Sequence, residues 1–181
     1  LEKSTSHLES SDNAQALVDH CPDAKVIAIL REPLSRAVSH YMFSVSNGLE
    51  KLSLEEAFER DISGRSRAWS PRISVNPFLY LRRGRYANYL RPWWKAIPPE
   101  NLLIDTMENL LEHEVGFRKV IDFLGLEKSG LQVDIQLKSE VQSGFSRQRL
   151  QELSLRYGDV FSDSNSALEE HGVNLLKWQR G

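Results

Sequence analysis

The sequence predicts an α/β fold in which a parallel sheet is flanked by helices. Two short apolar segments, "VIAIL" at 26–30 and "NLLIDT" at 101–106, have the length and composition of buried strands. Helical spacing of apolar residues follows each of them. Because parallel strands need a crossover connection, usually a helix, this alternation indicates parallel pairing. The 181 residues suffice for one ordinary domain, so we expect residues 1–181 to form a single one.

The first elements are marked by local signals. Polar residues at 10–13 suit the start of a helix, and Pro22 ends it. The apolar segment at 26–30 then has almost no polar residue, which predicts a strand covered on both faces. After "REP" the apolar residues recur at helical spacing until Asn47 and Gly48. We therefore predict helix, strand, tight turn and helix in that order.

The middle of the chain combines a well-marked helix with a long loop. Ser53 and Glu56 form a capping-box pattern at the start of "LSLEEAFER". Residues 62–77 show no period, and the segment is longer than the usual connection of about 4–6 residues, so it is either functional or mobile. "YANYLRPWWKAI" is an amphipathic helix that Pro92 bends or divides.

Three further helices are predicted after the second strand. "EHEVGFRKVIDFLGL" has one apolar face and ends at Gly125. "SRQRLQELSLRYG" and "SDSNSALEEHG" each begin with a serine placed to cap and end with a glycine. Only two strands are convincing, which is few for a sheet of this class. The deficit suggests that sequence is missing at the N-terminus.

Composition excludes several classes of function. The formal net charge of −2 gives no global attraction to nucleic acid or to an anionic membrane. Cys21 is the only cysteine, so no intrachain disulfide forms, and no Cys/His group has zinc-site spacing. No apolar run approaches the roughly 18 residues that span a bilayer, and a signal-peptide pattern is lacking. We expect a cytoplasmic protein without a metal. The oligomeric state stays open.

An arginine and a serine follow the first strand. Arg31 stands at the carboxyl end of that strand, where open α/β sheets bind ligands, and Ser39 lies eight residues later in the next helix. A guanidinium fork and a hydroxyl suit phosphate oxygens. Spacing alone leaves a second interpretation, in which Arg31 pairs with a nearby carboxylate such as Glu32.

The segment "VIAILREPLSRAVSHY" strongly resembles the 3′-phosphate-binding segment of sulfotransferases that use 3′-phosphoadenosine 5′-phosphosulfate (PAPS). The resemblance implies a P-loop-NTPase-like parallel sheet flanked by helices, with Arg31 and Ser39 holding the 3′-phosphate of the cofactor. Pro33, Arg36, His40 and Tyr41 fit the same stretch. It further implies that PAPS is the co-substrate and that 3′-phosphoadenosine 5′-phosphate is its product.

Other segments extend the resemblance over nearly the whole chain. "LEKSTSHL" is similar to a segment of the carbohydrate-type and bacterial members whose lysine faces the transferred sulfuryl group, which implies a catalytic role for Lys3. Glu108, the "FLGL" at 123–126 and "ALEEHGVNLLKW" near the end also match. From composition alone, Lys3 would be an ordinary solvated lysine.

One element of the family does not occur in the sequence. A loop of the form Lys-x-Gly-Thr, which grips the 5′-phosphosulfate, belongs before Lys3 in family order, as does the usual catalytic base. We therefore expect the chain to be the C-terminal part of a sulfotransferase domain. Two functions stay open. One is sulfuryl transfer from PAPS to a hydroxyl or amine of a carbohydrate, lipid or small metabolite; the other is a non-catalytic nucleotide-binding or interaction domain.

Several neighbouring residues have weaker claims. His40 points away from Ser39 on a helix, so we expect it to pack or support rather than to act as the base. For Arg36 we favour an i,i+4 pair with Glu32 over a contact with the nucleotide. Tyr86 either borders the acceptor cleft or caps the core. Loop 62–77 lies on the acceptor side in this interpretation, and Trp69 with the arginines at 65, 67 and 72 either contacts the acceptor or lies on a surface loop.

Overall fold

The computed structural model describes residues 7–65, 69, 76–111, 113–127 and 145–178, and for residues 113–115 the backbone alone. This part of the chain contains two strands and eight α-helices. The strands are β1 (Val26–Leu30) and β2 (Leu102–Thr106). The helices are α1 (Ser11–His20), α2 (Pro33–Ser46), α3 (Leu54–Ile62), α4 (Tyr86–Ala96), α5 (Met107–Leu110), α6 (His113–Leu124), α7 (Arg147–Tyr157) and α8 (Ser162–Glu170). Their order along the chain is α1, β1, α2, α3, α4, β2, α5, α6, α7 and α8.

The two strands pair in parallel, as the sequence predicts. Val26 lies opposite Leu102, and the register continues to Leu30 opposite Thr106, so both carboxyl ends lie at one edge of the sheet. One expectation is wrong. The side chain of Ile29 is 39% exposed, so the described residues cover that face of β1 only in part.

Several helix ends follow local chemistry, but two predicted caps are absent. Ser10 is the N-cap residue of α1, yet its side chain makes no capping hydrogen bond. Ser53 and Glu56 make both bonds of a capping box, and Gly125 has a φ of 71° beyond α6. Ser162, however, does not cap α8. It is the first residue of that helix, because the chain arrives from a 3-10 helix (Gly158–Phe161) already in a helical turn. Pro92 lies within α4, and the helix continues through it.

The core packs α4 and α8 against the carboxyl end of β1. Leu30 of β1 packs with Leu90 of α4 and Leu168 of α8, and all three are buried. Gly84 lets the 3-10 helix Arg82–Gly84 approach the start of α2. A Cβ there would lie 2.7 Å from a ring carbon of Phe161 and 2.9 Å from the Cβ of Pro33. This close packing fixes the backbone that follows β1.

Candidate functional site

The strand-end turn, residues 31–33, is held from two sides. The hydroxyl of Tyr86 donates a hydrogen bond to the carbonyl oxygen of Arg31 at 2.8 Å. The backbone N–H of Glu32 donates to a carboxylate oxygen of Glu108 at 3.1 Å. Tyr86 is therefore a core residue that anchors the turn, and burial raises its pKa to about 12, so it stays protonated as a donor. The position of the Arg31 backbone is thus well defined.

The carboxylate of Glu32 caps α2. Its two oxygens accept from the backbone N–H groups of Leu34 and Ser35, at 2.9 and 2.6 Å. Pro33 occupies the first helical position, where a missing N–H costs nothing. An anionic cap also suits the positive end of the helix dipole. The nearest carboxylate in sequence is therefore bound to the backbone and leaves Arg31 without that partner.

The predicted pair of Glu32 and Arg36 is wrong for the same reason. The guanidinium of Arg36 instead donates to the carbonyl oxygen of Tyr80, and burial lowers its pKa. Its Nε has no partner among the described residues. Arg36 consequently links α2 to the chain that precedes the 3-10 helix.

Arg31 and Ser39 keep their polar groups available. Both side chains are partly buried, and neither has a hydrogen-bond or ion-pair partner in the part of the chain that the structure describes. Ser39 is seven residues beyond Glu32, so the helical period of 3.6 residues returns it to the same face of α2, about 10 Å along the axis. Within the described residues, the guanidinium in the turn and the hydroxyl farther along the same face of α2 thus have no partner.

Glu108 joins the ends of both strands to the end of the chain. It follows β2, and besides Glu32 its carboxylate accepts from the indole N–H of Trp178 at 2.9 Å. Its backbone oxygen accepts from the ammonium of Lys177, also at 2.9 Å. The closing segment, residues 173–178, is thereby tied to the strand-end turn. The sequence offered no local signal for these contacts, since Glu108 and Glu32 are 76 positions apart.

His40 and Asp105, two other titratable residues near the site, make contacts within the fold. Burial, followed by the charges of Arg36 and Arg83, lowers the pKa of His40 to about 4, and its ring packs edge-on against Tyr80 at 5.2 Å. Burial opposes ionisation of Asp105, but hydrogen bonds from Asn109, Lys119 and Thr106 lower its pKa overall. His40 thus packs, as expected from its direction on the helix.

Lys3, Arg67 and Arg72 lie outside the described residues, as does most of the predicted loop at 62–77. The side chains of Arg65 and Trp69 are exposed. Among the described residues, no group of three or more His, Cys, Asp or Glu side chains is placed to hold a metal ion. No helix in the described ranges has the length and apolar character needed to cross a membrane.

Comparison with protein families gives one match over most of the chain. The family model for the sulfotransferase domain matches residues 3–166. The matched range contains Lys3, Arg31, Ser39 and Glu108.

Curated relatives share about a quarter to a third of their residues with this chain. Heparan sulfate glucosamine 3-O-sulfotransferase 3B1 of Mus musculus is 28% identical over 131 residues, which are 71% of this chain and 31% of the relative. Bifunctional heparan sulfate N-deacetylase/N-sulfotransferase 3 of the mouse is 34% identical over 105 residues, 58% of this chain and 12% of the relative. Mouse carbohydrate sulfotransferase 15 is 29% identical over 116 residues, 58% and 21% of the two chains. The matched part is thus at most about a third of each relative's length.

A solved structure has the same fold. The crystal structure of a sulfotransferase from Alicyclobacillus acidocaldarius superposes with a TM-score of 0.72, at 22% sequence identity. The superposition covers 97% of this chain and 66% of that structure. The predicted fold, a parallel sheet flanked by helices of the sulfotransferase type, is confirmed.

Proposed function

Because the chain belongs to the sulfotransferase family, we propose that it forms the 3′-phosphate-binding part of a PAPS-dependent sulfotransferase. The acceptor is a hydroxyl or amine of a carbohydrate, lipid or small metabolite, and the nucleotide product is 3′-phosphoadenosine 5′-phosphate. One observation carries the proposal. Among the described residues, Arg31 and Ser39 have no partner for their polar groups; Arg31 lies in a turn whose backbone is held by Tyr86 and Glu108, and Ser39 lies on the helix that follows it.

The arrangement suits a phosphate group for two physical reasons. A guanidinium presents parallel N–H donors that match two phosphate oxygens, and a serine hydroxyl adds a further donor. Because the turn is already ordered, binding loses little backbone entropy. Arg31 and Ser39 would therefore hold the end of the nucleotide that is remote from the reaction, and that binding energy orients the reacting end.

Transfer itself is an in-line displacement at sulfur. The acceptor oxygen or nitrogen forms a bond to sulfur while the bond from sulfur to the bridging phosphate oxygen breaks, and the electron pair stays on the phosphate. The acceptor proton passes to a base. Catalysis of this kind rests on positioning and on stabilising the charge that develops. The resemblance assigns Lys3 to that charge, beside the sulfuryl oxygens. No metal ion is part of the proposed reaction.

A second candidate is a non-catalytic nucleotide-binding or interaction domain with the same fold. The observation in its favour is that the 181 residues contain no Lys-x-Gly-Thr loop. The names of the relatives favour the first candidate with a carbohydrate acceptor, since they specify heparan sulfate and carbohydrate. A cytoplasmic location stays a prediction from the composition.

Release of 3′-phosphoadenosine 5′-phosphate from PAPS in the presence of candidate acceptors tests the proposal. In the full-length protein that contains this chain, we expect acceptor-dependent release, and Lys3→Ala should lower turnover more than it weakens nucleotide binding. Lys51→Ala is the matched control, because Lys51 is exposed. Binding of the nucleotide without any transfer would favour the second candidate. Failure to bind the nucleotide would contradict both.

A further inference from the structure

A cavity, which we call the polar cleft, lies between the start of α2 and the helices α7 and α8. Its volume is about 330 Å³, near the lower end of the range for small-ligand sites, roughly 300–1,000 Å³. Its described lining includes Glu32, Phe161, Asn165, Ser166, Glu169 and Trp178. The cleft therefore begins one residue after Arg31.

The cleft offers uncharged hydrogen-bonding groups. The side-chain oxygen of Asn165 is buried, and no described residue donates to it. A buried acceptor without a donor is unfavourable, so the position suits a hydroxyl or amine of a ligand. The exposed side chains of Ser154, Ser162 and Ser166 add three hydroxyls, each both donor and acceptor.

The charge of the cleft opposes anions. Its described lining includes two glutamates and no lysine, arginine or histidine. Both oxygens of Glu32 already accept from the start of α2, whereas Glu169 is exposed at the opening. A sulfated or phosphorylated group in the cleft would meet this negative field without a compensating cation among the described lining residues.

The apolar part of the wall is rigid. Phe161 is buried against Gly84, and the indole of Trp178 is oriented by its bond to Glu108 and packs 6.1 Å from the ring of Tyr86. Fixed aromatic rings provide a surface for the C–H groups of a sugar at little cost in entropy. The wall is therefore ordered before any ligand arrives.

We propose that the polar cleft binds an uncharged, hydroxyl-rich group, of which an unsulfated sugar unit is the simplest example. The inference rests on the proposed function in one respect, that this group is a non-reacting part of the acceptor. If the inference holds, the part of the acceptor that contacts α8 is uncharged. The heparan sulfate named in two of the relatives is a polyanion.

Calorimetric titration of the whole chain with chitotetraose and with chemically O-sulfated chitotetraose tests the inference. We expect the neutral form to bind at least about tenfold more tightly. Asn165→Leu should weaken that binding about tenfold, because a buried partner is lost. Ser166→Val should also weaken binding of the neutral sugar. Because Ser166 is exposed, this variant replaces Asn165→Leu as the test if that protein does not fold.

A charge reversal supplies the matched control. Glu169→Lys should narrow the difference between the two sugars, and Glu170→Lys should leave it unchanged, because Glu170 is a neighbour on α8 that does not line the cleft. Equal or tighter binding of the sulfated sugar, or unchanged binding in the folded Asn165 and Ser166 variants, would overturn the inference. Unchanged binding would mean that water satisfies Asn165.

Titration of the same samples with 3′-phosphoadenosine 5′-phosphate separates the two proposals. Sugar binding without nucleotide binding would contradict the proposed function and leave the cleft assignment intact. Nucleotide binding without sugar binding would overturn the cleft assignment alone.

Discussion

The strand-end turn and the contact between α3 and the 3-10 helix at 82–84 both place an arginine beside a carboxylate, with opposite results. The Nε of Arg82 donates to Asp61 at 2.7 Å, and the other oxygen of that buried carboxylate accepts from the N–H groups of Leu81 and Arg82. Arg31 has no such partner in the described residues, since Glu32 caps α2. Arg82 completes a structural network, whereas Arg31 is the residue that we propose for the 3′-phosphate.

The two arginines are therefore expected to affect different quantities, Arg82 the free energy of unfolding and Arg31 the affinity for a ligand. Removing a member of the network around Asp61 leaves buried polar groups without partners, so the cost falls on folding. Removing the side chain of Arg31 leaves no partner unsatisfied in the described structure, so under our proposal the loss is in ligand affinity and not in stability. The predictions below test that separation, from the largest expected effect to the smallest.

Asp61→Ala should give the largest change. The substitution leaves two backbone N–H groups and the guanidinium of Arg82 without their acceptor, and the loss of one partner of a buried pair costs about 3–5 kcal/mol. Urea unfolding measures it. Asp159→Ala, at an exposed position, should change the free energy of unfolding by less than about 0.5 kcal/mol. A loss below about 1 kcal/mol for Asp61→Ala would contradict the structural role of this network.

His40 should make the protein less stable in mild acid. Its pKa is about 4 in the folded protein against an ordinary 6.5, so the unfolded chain binds more protons between these values. The free energy of unfolding therefore falls as the pH drops from 6.5 toward 4. His40→Gln should remove about 2 kcal/mol of the loss between pH 7 and pH 4.5, after an allowance for partial exposure. If the free energy of unfolding fell equally with pH in the wild type and in His40→Gln, the burial of His40 would be contradicted.

Ser39→Ala should give the smallest effect, and on binding alone. A single hydroxyl donor contributes about 0.5–1.5 kcal/mol, so the affinity for 3′-phosphoadenosine 5′-phosphate should fall about 2- to 12-fold. Thermal unfolding should stay within about 0.5 kcal/mol of the wild type, because the hydroxyl has no partner among the described residues. If thermal stability fell and the affinity did not, Ser39 would belong with Asp61 instead.

Local patterns predicted most elements of the fold. The capping box at Ser53, the strand before Arg31 and the glycine after α6 are each set by neighbours in sequence, and all three are present. The cap expected at Ser162 failed because the preceding residues are already helical, which depends on how Phe161 packs beside Gly84. Such a contact joins positions far apart in the chain.

Sequence predicted a site residue only where its side chain suits a ligand and its position lies at a place where ligands are known to bind. Arg31 and Ser39 stand out because the end of a parallel strand is a place for ligands, and the family resemblance then assigned them a phosphate. The partner of Arg36 could not be found this way, since Tyr80 is 44 residues away and glutamate is not among the preferred helix caps. The polar cleft lies between α8 and the start of α2, which are far apart in the chain. Its lining residues therefore form no motif that could be recognised in the sequence.

The central claim is that Arg31 is reserved for the 3′-phosphate. Calorimetry of 3′-phosphoadenosine 5′-phosphate and of 5′-AMP, with wild type, Arg31→Ala and the exposed control Arg91→Ala, tests it most directly. We predict that Arg31→Ala weakens the bisphosphate about 10- to 100-fold and leaves 5′-AMP within about twofold, while Arg91→Ala changes neither. Equal losses for the two nucleotides in Arg31→Ala would contradict the claim.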